Sequence, residues 1–517
     1  MCIFGAERET VSTAAVIAPT GGRKGVIRSI GVNTVYQIGS QVAPAVAAIA
    51  AIPFLLRHLG YDLFGIVTIF STTLAYFAML DLGLGRAATR FISQSLEAEK
   101  PDDVRRYFWG SVILLSAMGA IVMVSSVLSV PAVVGFFKIS KPYLRSATES
   151  FYIICLTIPV VTLTATLRGF LEASGRFRFV SIVTGCGGVG TYVLPALAVT
   201  MGGSLVAIAA VFAGVRMAMC GALAIGCLSI EQRPSLRPIF DVIAVRRMLS
   251  FGGWLSVSNI IGTAMIYCDR FLLGMWVGMA AVASYGMPLD LISRLQLLIT
   301  SFCTVLFPLM SRLDGSRSNH FQTVYRGAVA VGLSLMTPIS AAAVILAPVL
   351  MKVWLGQRIT SDAVFAAQVF LAGAVAQSIA SIAWTALHAR GRSDLTAWLH
   401  LAEFPLYCGV FYLAATHFGV RGAALAWLGR GIVDFLCMVL LLRGVGDRLS
   451  IPPELVAAIV SIGILLIAIL PLRDAVIMAV LVCTLSWIWI WRTLLDPTMR
   501  IQIAKVLLGR RAPKPAC

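Results

Sequence analysis

Two pairs of opposite charge, Asp290 with Arg294 and Arg430 with Asp434, are spaced i,i+4 in segments otherwise almost free of charge. On a helix that spacing puts both members on one face. Arg216 has no acidic residue within four positions, while Glu403 and the consecutive Asp269 and Arg270 stand in similarly apolar surroundings. A guanidinium presents a planar fork of donors that suits phosphate. Carboxylates in such surroundings serve instead as proton or cation carriers. A further pattern, Gly83-Leu84-Gly85-Arg86-Ala87-Ala88, matches G-x-G-x-x-G/A, the loop that cradles a dinucleotide pyrophosphate. Anion binding, ion coupling and nucleotide binding are therefore all offered, and the elements that carry these residues decide among them.

Those elements are membrane spans. Of the 517 residues 59% are hydrophobic and 12% charged, about half the charge of a soluble domain. Uncharged runs such as 29–56, 107–137, 179–215 and 363–387 are long enough to cross about 30 Å of hydrocarbon as helices. The pattern predicts an all-α polytopic membrane protein with about fourteen spans: 29–52, 63–82, 108–131, 150–168, 179–199, 204–229, 248–269, 282–309, 327–350, 364–387, 396–416, 422–442, 455–472 and 474–492. Residues 1–28 lack the clean cleavage pattern of a signal peptide and read as a cytoplasmic tail. Eleven cysteines without a C-x-x-C and five dispersed histidines suggest no metal site, disulfide framework or cofactor.

Lys and Arg are roughly threefold more abundant in the tails and even-numbered linkers than in the odd-numbered ones, which orients both termini toward the cytoplasm. The net charge of +18 is then mostly an inner-face property that meets anionic headgroups, and its spread over many short loops argues against nucleic acid. The chain also resembles itself at an offset of about 216 residues: "LEASGRFR" (171–178) matches "LHARGRSD" (387–394), and 204–218 matches 422–434. An even number of spans per unit gives parallel repeats with a ligand path between them. The expected organisation is a tail at 1–28, lobes at 29–230 and 247–443, a helix pair at 454–492 and a basic tail at 493–517.

Within this frame Arg216 lies about 20 Å along its helix, near the midplane, with Arg294 and Asp434 at similar depth. Arg430 and Asp290 fall one turn outward, Glu403 nearer the cytoplasm, and Asp269 and Arg270 at the outer end of the seventh span. Each i,i+4 pair is open to two readings, self-neutralisation or a working site. The glycine pattern at 83–88 fails its context, because it follows a membrane helix instead of a β-strand. Asp81, Arg86 and Arg90 become candidates for a cytoplasmic gate, and Gly83 and Gly85 for a bend or a close helix contact.

"FLLRHLGYDLFGIVTIFSTTLAYFAMLDLGLGRAATRFIS" (54–93) resembles the opening signature of Wzx-type lipid-linked oligosaccharide flippases, in the polysaccharide-transporter branch of the multidrug/oligosaccharidyl-lipid/polysaccharide exporter superfamily. "VSNIIGTAMIYCDRFLLG" (257–274), "VASYGMPLDLISRL", "LFPLMSRL", "ALHARGRSDLTAWLHLAEFPLY" (386–407) and "GVRGAALAWLGRGIVDF" (419–435) extend the resemblance over most of 30–445. It implies two six-helix bundles plus a final pair, and alternating access that carries a polyprenyl-pyrophosphate-linked oligosaccharide to the outer leaflet for surface polysaccharide, O-antigen or exopolysaccharide synthesis. It also implies a bacterial inner-membrane location, a cationic cavity and coupling to H+ or Na+, beside polymerase or export machinery. The cavity role falls on Arg216, Arg294 and Arg430, and the ion-coupling role on Asp269, Asp290, Glu403 and Asp434. A cation-coupled multidrug antiporter, a peptidoglycan-precursor flippase and a membrane glycan polymerase or ligase are the alternatives. Intramembrane arginines oppose a cationic substrate. Linkers of only about twenty residues leave little room for sugar chemistry.

Overall fold

The computed structural model describes residues 23–79, 84–230, 238–313, 318–444 and 453–494. Among them the chain is helical throughout, with no strand. The first helix, α1 (Arg23–Met79), contains 57 residues, about 85 Å at 1.5 Å per residue and far too long for one crossing. It is two arms joined at Gly60, whose φ of 73° and ψ of 176° suit glycine alone. Then follow α2 (Leu84–Glu97), α3 (Pro101–Phe136), α4 (Leu144–Leu156), α5 (Ile158–Ala173), α6 (Phe177–Thr200) and α7 (Leu205–Leu228). The expected span at 150–168 is divided between α4 and α5, because Pro159 has no N–H for the helix ladder. At the break Thr157 Oγ1 donates to Ile154 O at 2.6 Å.

The second half comprises α8 (Val242–Trp276), α9 (Met279–Ser293), α10 (Gln296–Arg312), α11 (Ser318–Leu355), α12 (Ser361–Ala389) and α13 (Ser393–Gly444). Like α1, α13 is two arms joined at a glycine, Gly419, with φ 60° and ψ −137°. The expected continuous span at 282–309 is broken: α9 and α10 meet at a 42° bend, where Arg294 and Leu295 donate to carbonyls only three residues back. Two last helices, α14 (Pro453–Ile467) and α15 (Leu472–Trp489), pack on α11 and α12. By length and apolarity nine helices among the described residues suffice to cross a membrane, or ten if α9 and α10 form one bent span.

Helices α1 to α7 pack chiefly with one another, as do α9 to α13, while α8 packs against both groups. The second arm of α1 meets α9 so closely that a Cβ on Gly65 would lie 2.0 Å from Met279 O. Near the Gly60 bend, Tyr61 donates to Arg358 O (2.9 Å) and Arg358 to Arg57 O (2.7 Å). At its other end α8 buries Ala244, Val245 and Met248 in an apolar cluster with α2, α3 and α5. The glycine pattern of residues 83–88 leads into α2. A Cβ on Gly169 of α5 would sit 3.1 Å from Gly85 O, a close helix contact that small residues permit.

Candidate functional site at the interface of the helix groups

Arg270 is buried, 7% exposed, and sits well inside α8, which runs on to Trp276. The helix continues for six residues beyond Arg270, past the expected end of the span at 248–269. Its Nη1 donates to Thr72 Oγ1 of α1 at 3.0 Å, and its Nη2 pairs with Asp290 of α9. Asp290 therefore meets a partner on another helix instead of its i+4 neighbour Arg294. Arg294 stands in the bend between α9 and α10, and its Nη2 donates to Tyr192 OH of α6 at 3.1 Å. Arg216 of α7 is within electrostatic range of the same tyrosine, and Tyr267 is within range of Arg270, Asp290 and Arg294.

Three arginines from α7, α8 and the α9–α10 bend thus gather about one carboxylate and two tyrosines. Among the described residues Arg216 has no ion-pair partner. Unbalanced cations at membrane depth face the protein interior or a wet cavity, and a planar donor fork favours phosphate as counter-charge.

A second cluster lies within the C-terminal helices. Asp269 is 1% exposed and accepts a 2.6 Å hydrogen bond from Tyr285 OH. Consecutive residues point about 100° apart on a helix, so Asp269 enters this cluster while Arg270 faces the other. Arg430 does not join Arg216 and Arg294. Its guanidinium carbon lies 5.1 Å from the Tyr407 ring centroid, within range of Asp269, Glu403 and Asp434. The ion partner of Asp434 is His400, Nε2 to Oδ1 3.4 Å. Beside this cluster opens a cavity of about 670 Å³, lined by Gln377, Trp384, His388, His400, Arg430 and Asp434.

The four proposed carboxylates therefore divide between two places, Asp290 at the interface and Asp269, Glu403 and Asp434 in the C-terminal cluster. Asp81 lies outside the described residues, as does the side chain of Arg86; Arg90 is exposed on α2. Sequence reasoning missed Tyr192, Tyr267, Tyr285, Tyr407, Thr72 and His400. The only available signal was His400 lying three residues before Glu403, which puts the two on one helix face. Among the described residues no group of three His, Cys, Asp or Glu could hold a metal.

A family model described as polysaccharide biosynthesis protein matches residues 30–314. A Shigella flexneri protein named "Putative O-antigen transporter" is 26% identical over 411 residues, covering 78% of this chain and 96% of its own. An inward-facing multidrug resistance MATE family transporter of the MOP superfamily is similar in structure, with a TM-score of 0.69, 15% identity and coverage of 80% of this chain and 100% of that one. The lipid II flippase MurJ, in an inward closed conformation, gives a TM-score of 0.68, 14% identity and coverage of 89% and 99%. At such identities the two structures speak to fold alone. With the family model spanning more than half of its residues and this fold to carry them, the chain belongs to the polysaccharide biosynthesis protein family of multi-pass membrane proteins.

Proposed function

We propose that the protein moves a polyprenyl-pyrophosphate-linked oligosaccharide from the inner to the outer leaflet of the bacterial cytoplasmic membrane by alternating access. The observation that carries the reading is the group Arg216, Tyr192 and Arg294, built from both helix groups. The pyrophosphate docks on Arg216 and Arg294, the sugars occupy the wet space between the lobes, and the prenyl chain stays in lipid. Arg430, expected beside them, serves the C-terminal cluster. Asp269, Asp290, Glu403 and Asp434 are the coupling carboxylates, and Asp81, Arg86 and Arg90 form the cytoplasmic gate.

We read fourteen crossings, in lobes 29–230 and 247–443 with a pair at 454–492, by taking the arms of α1 and α13 separately, α4–α5 and α9–α10 as single spans, and α8 and α14 as crossings. Both termini, including the basic tail 493–517, face the cytoplasm, as the distribution of Lys and Arg supports. Surplus positive charge at the interface disfavours a cationic drug as cargo. The test is glycan export in cells lacking the native gene. Arg216→Gln and Arg294→Gln are expected to abolish surface glycan at normal membrane abundance, and normal export by both variants overturns the reading.

A further inference from the structure

The C-terminal cluster contains buried acceptors that, among the described residues, receive no hydrogen bond. Glu403 and Asp434 are each 7% exposed. They face each other from the two arms of α13, with their carboxyl groups within hydrogen-bond reach. Yet both Glu403 oxygens and Asp434 Oδ1 are buried without a hydrogen-bond donor. Two ionised carboxylates so placed repel and leave acceptors unmatched, whereas one shared proton turns the repulsion into a hydrogen bond. Tyr407 adds a second signal, since it is 3% exposed and its hydroxyl in the same cluster is also unpartnered.

We infer that Glu403 and Asp434 form a proton-sharing carboxyl pair that carries the coupling proton, with His400 as its exchange route to the adjoining cavity. This rests on the transport reading above and narrows its coupling ion to H+. The surroundings suit a proton better than a metal cation. Arg430 faces the pair from its own arm and His400 from the other, while Tyr407, Asp269 of α8 and Tyr285 of α9 face Arg430. His388 of α12 faces His400, and Cys437 lies beside both acids. Residues 456–467 of α14 bring no ionisable group. Sodium requires several hard oxygens and no neighbouring cation, yet here a guanidinium stands within electrostatic range of both acids.

In the loaded state the pair holds one proton and a single negative charge opposite Arg430. On release the proton passes from Asp434 Oδ1 to His400 Nε2, forming imidazolium, and the imidazolium returns its Nδ1 proton to water in the cavity. The pair is left doubly negative and the imidazole neutral, a state that reprotonation by the reverse route resets. His400 is suited to this step because it both touches Asp434 and lines the cavity.

Purified protein is examined by infrared difference spectroscopy and, in proteoliposomes, with a fluorescent polyprenyl-pyrophosphate oligosaccharide. The expected result is a carboxylic-acid C=O band that is indifferent to Na+ and lost in Glu403→Gln and in Asp434→Asn. In these variants gradient-driven accumulation falls at least tenfold while gradient-free exchange of the probe persists. His400→Gln retains the band and slows only the proton-driven rate. Each amide supplies the missing donor, so the variants fold, which gel filtration checks. Absence of the band, or accumulation driven by Na+ without a pH gradient, overturns the inference and leaves the flippase reading standing. A wild-type protein that moves no probe in any assay overturns the flippase reading, and the band then decides the pair by itself.

Discussion

Replacing Gly65 with alanine tests whether the tight seam between α1 and α9 is a moving part. A Cβ there would lie 2.0 Å from Met279 O and 2.6 Å from its carbonyl carbon. Both are backbone atoms, so no side-chain rotation relieves the clash, and the helices must separate by about 1.4 Å to restore ordinary contact. Alanine is favoured over glycine within a helix by about 1 kcal/mol, so the substitution does not weaken α1 itself. Overpacking of this kind costs roughly 1–3 kcal/mol, charged only to the state in which the seam is closed. That free energy shifts an open–closed equilibrium by about 5- to 150-fold. Spin labels at Asp62→Cys and Ser361→Cys, exposed positions on either side of the seam, report the separation by pulsed electron resonance. Gly65→Ala is expected to add or enlarge a longer-distance population at unchanged expression. A distance distribution identical to that of the parent, with full export, refutes the reasoning.

Other substitutions probe separate links. Tyr285→Phe removes the donor to buried Asp269 and should lower stability by about 1–3 kcal/mol, seen as a lower melting temperature in detergent. Asp269→Asn, which keeps an acceptor, should cost less. Gly419→Ala places a Cβ at φ 60° and ψ −137°, a strain of roughly 1–3 kcal/mol, detected as increased proteolysis of α13; Gly409→Ala, in open space within the same helix, is the control. Tyr192→Phe deletes the hydroxyl that accepts from Arg294. It should reduce glycan export less than Arg294→Gln does, and an equal or larger loss would assign the tyrosine a role beyond this hydrogen bond.

Spans were legible because hydrocarbon tolerates few charges, so uncharged runs mark the helices wherever their neighbours lie. The breaks were less so. Gly60 and Gly419 stand in stretches that read as linkers, yet each kink is made by one glycine with little loop around it. The bend at Arg294 carries no glycine or proline and left no local sign. Charge pairing stayed open for a different reason: i,i+4 spacing is the only pairing visible along one helix. Asp290 finds Arg270 twenty residues away and Arg294 finds Tyr192 a hundred and two residues away, contacts that exist only once α6, α8 and α9 are packed. Neutral tyrosines cost little to bury in a membrane helix, so nothing in the sequence distinguished the four that organise the two clusters.

Helix α8 belongs to three environments at once: its first turns are embedded in the N-terminal helices, Arg270 bridges α1 and α9, and Asp269 reaches Tyr285 in the other cluster. Because side chains on one helix share an axis, a twist or slide that alters the reach of Arg270 also alters that of Asp269. Occupancy at the two clusters is then linked as two pans of one balance are. By thermodynamic reciprocity, whatever free energy an anion at the interface lends to proton loading, proton loading must lend in equal measure to the anion.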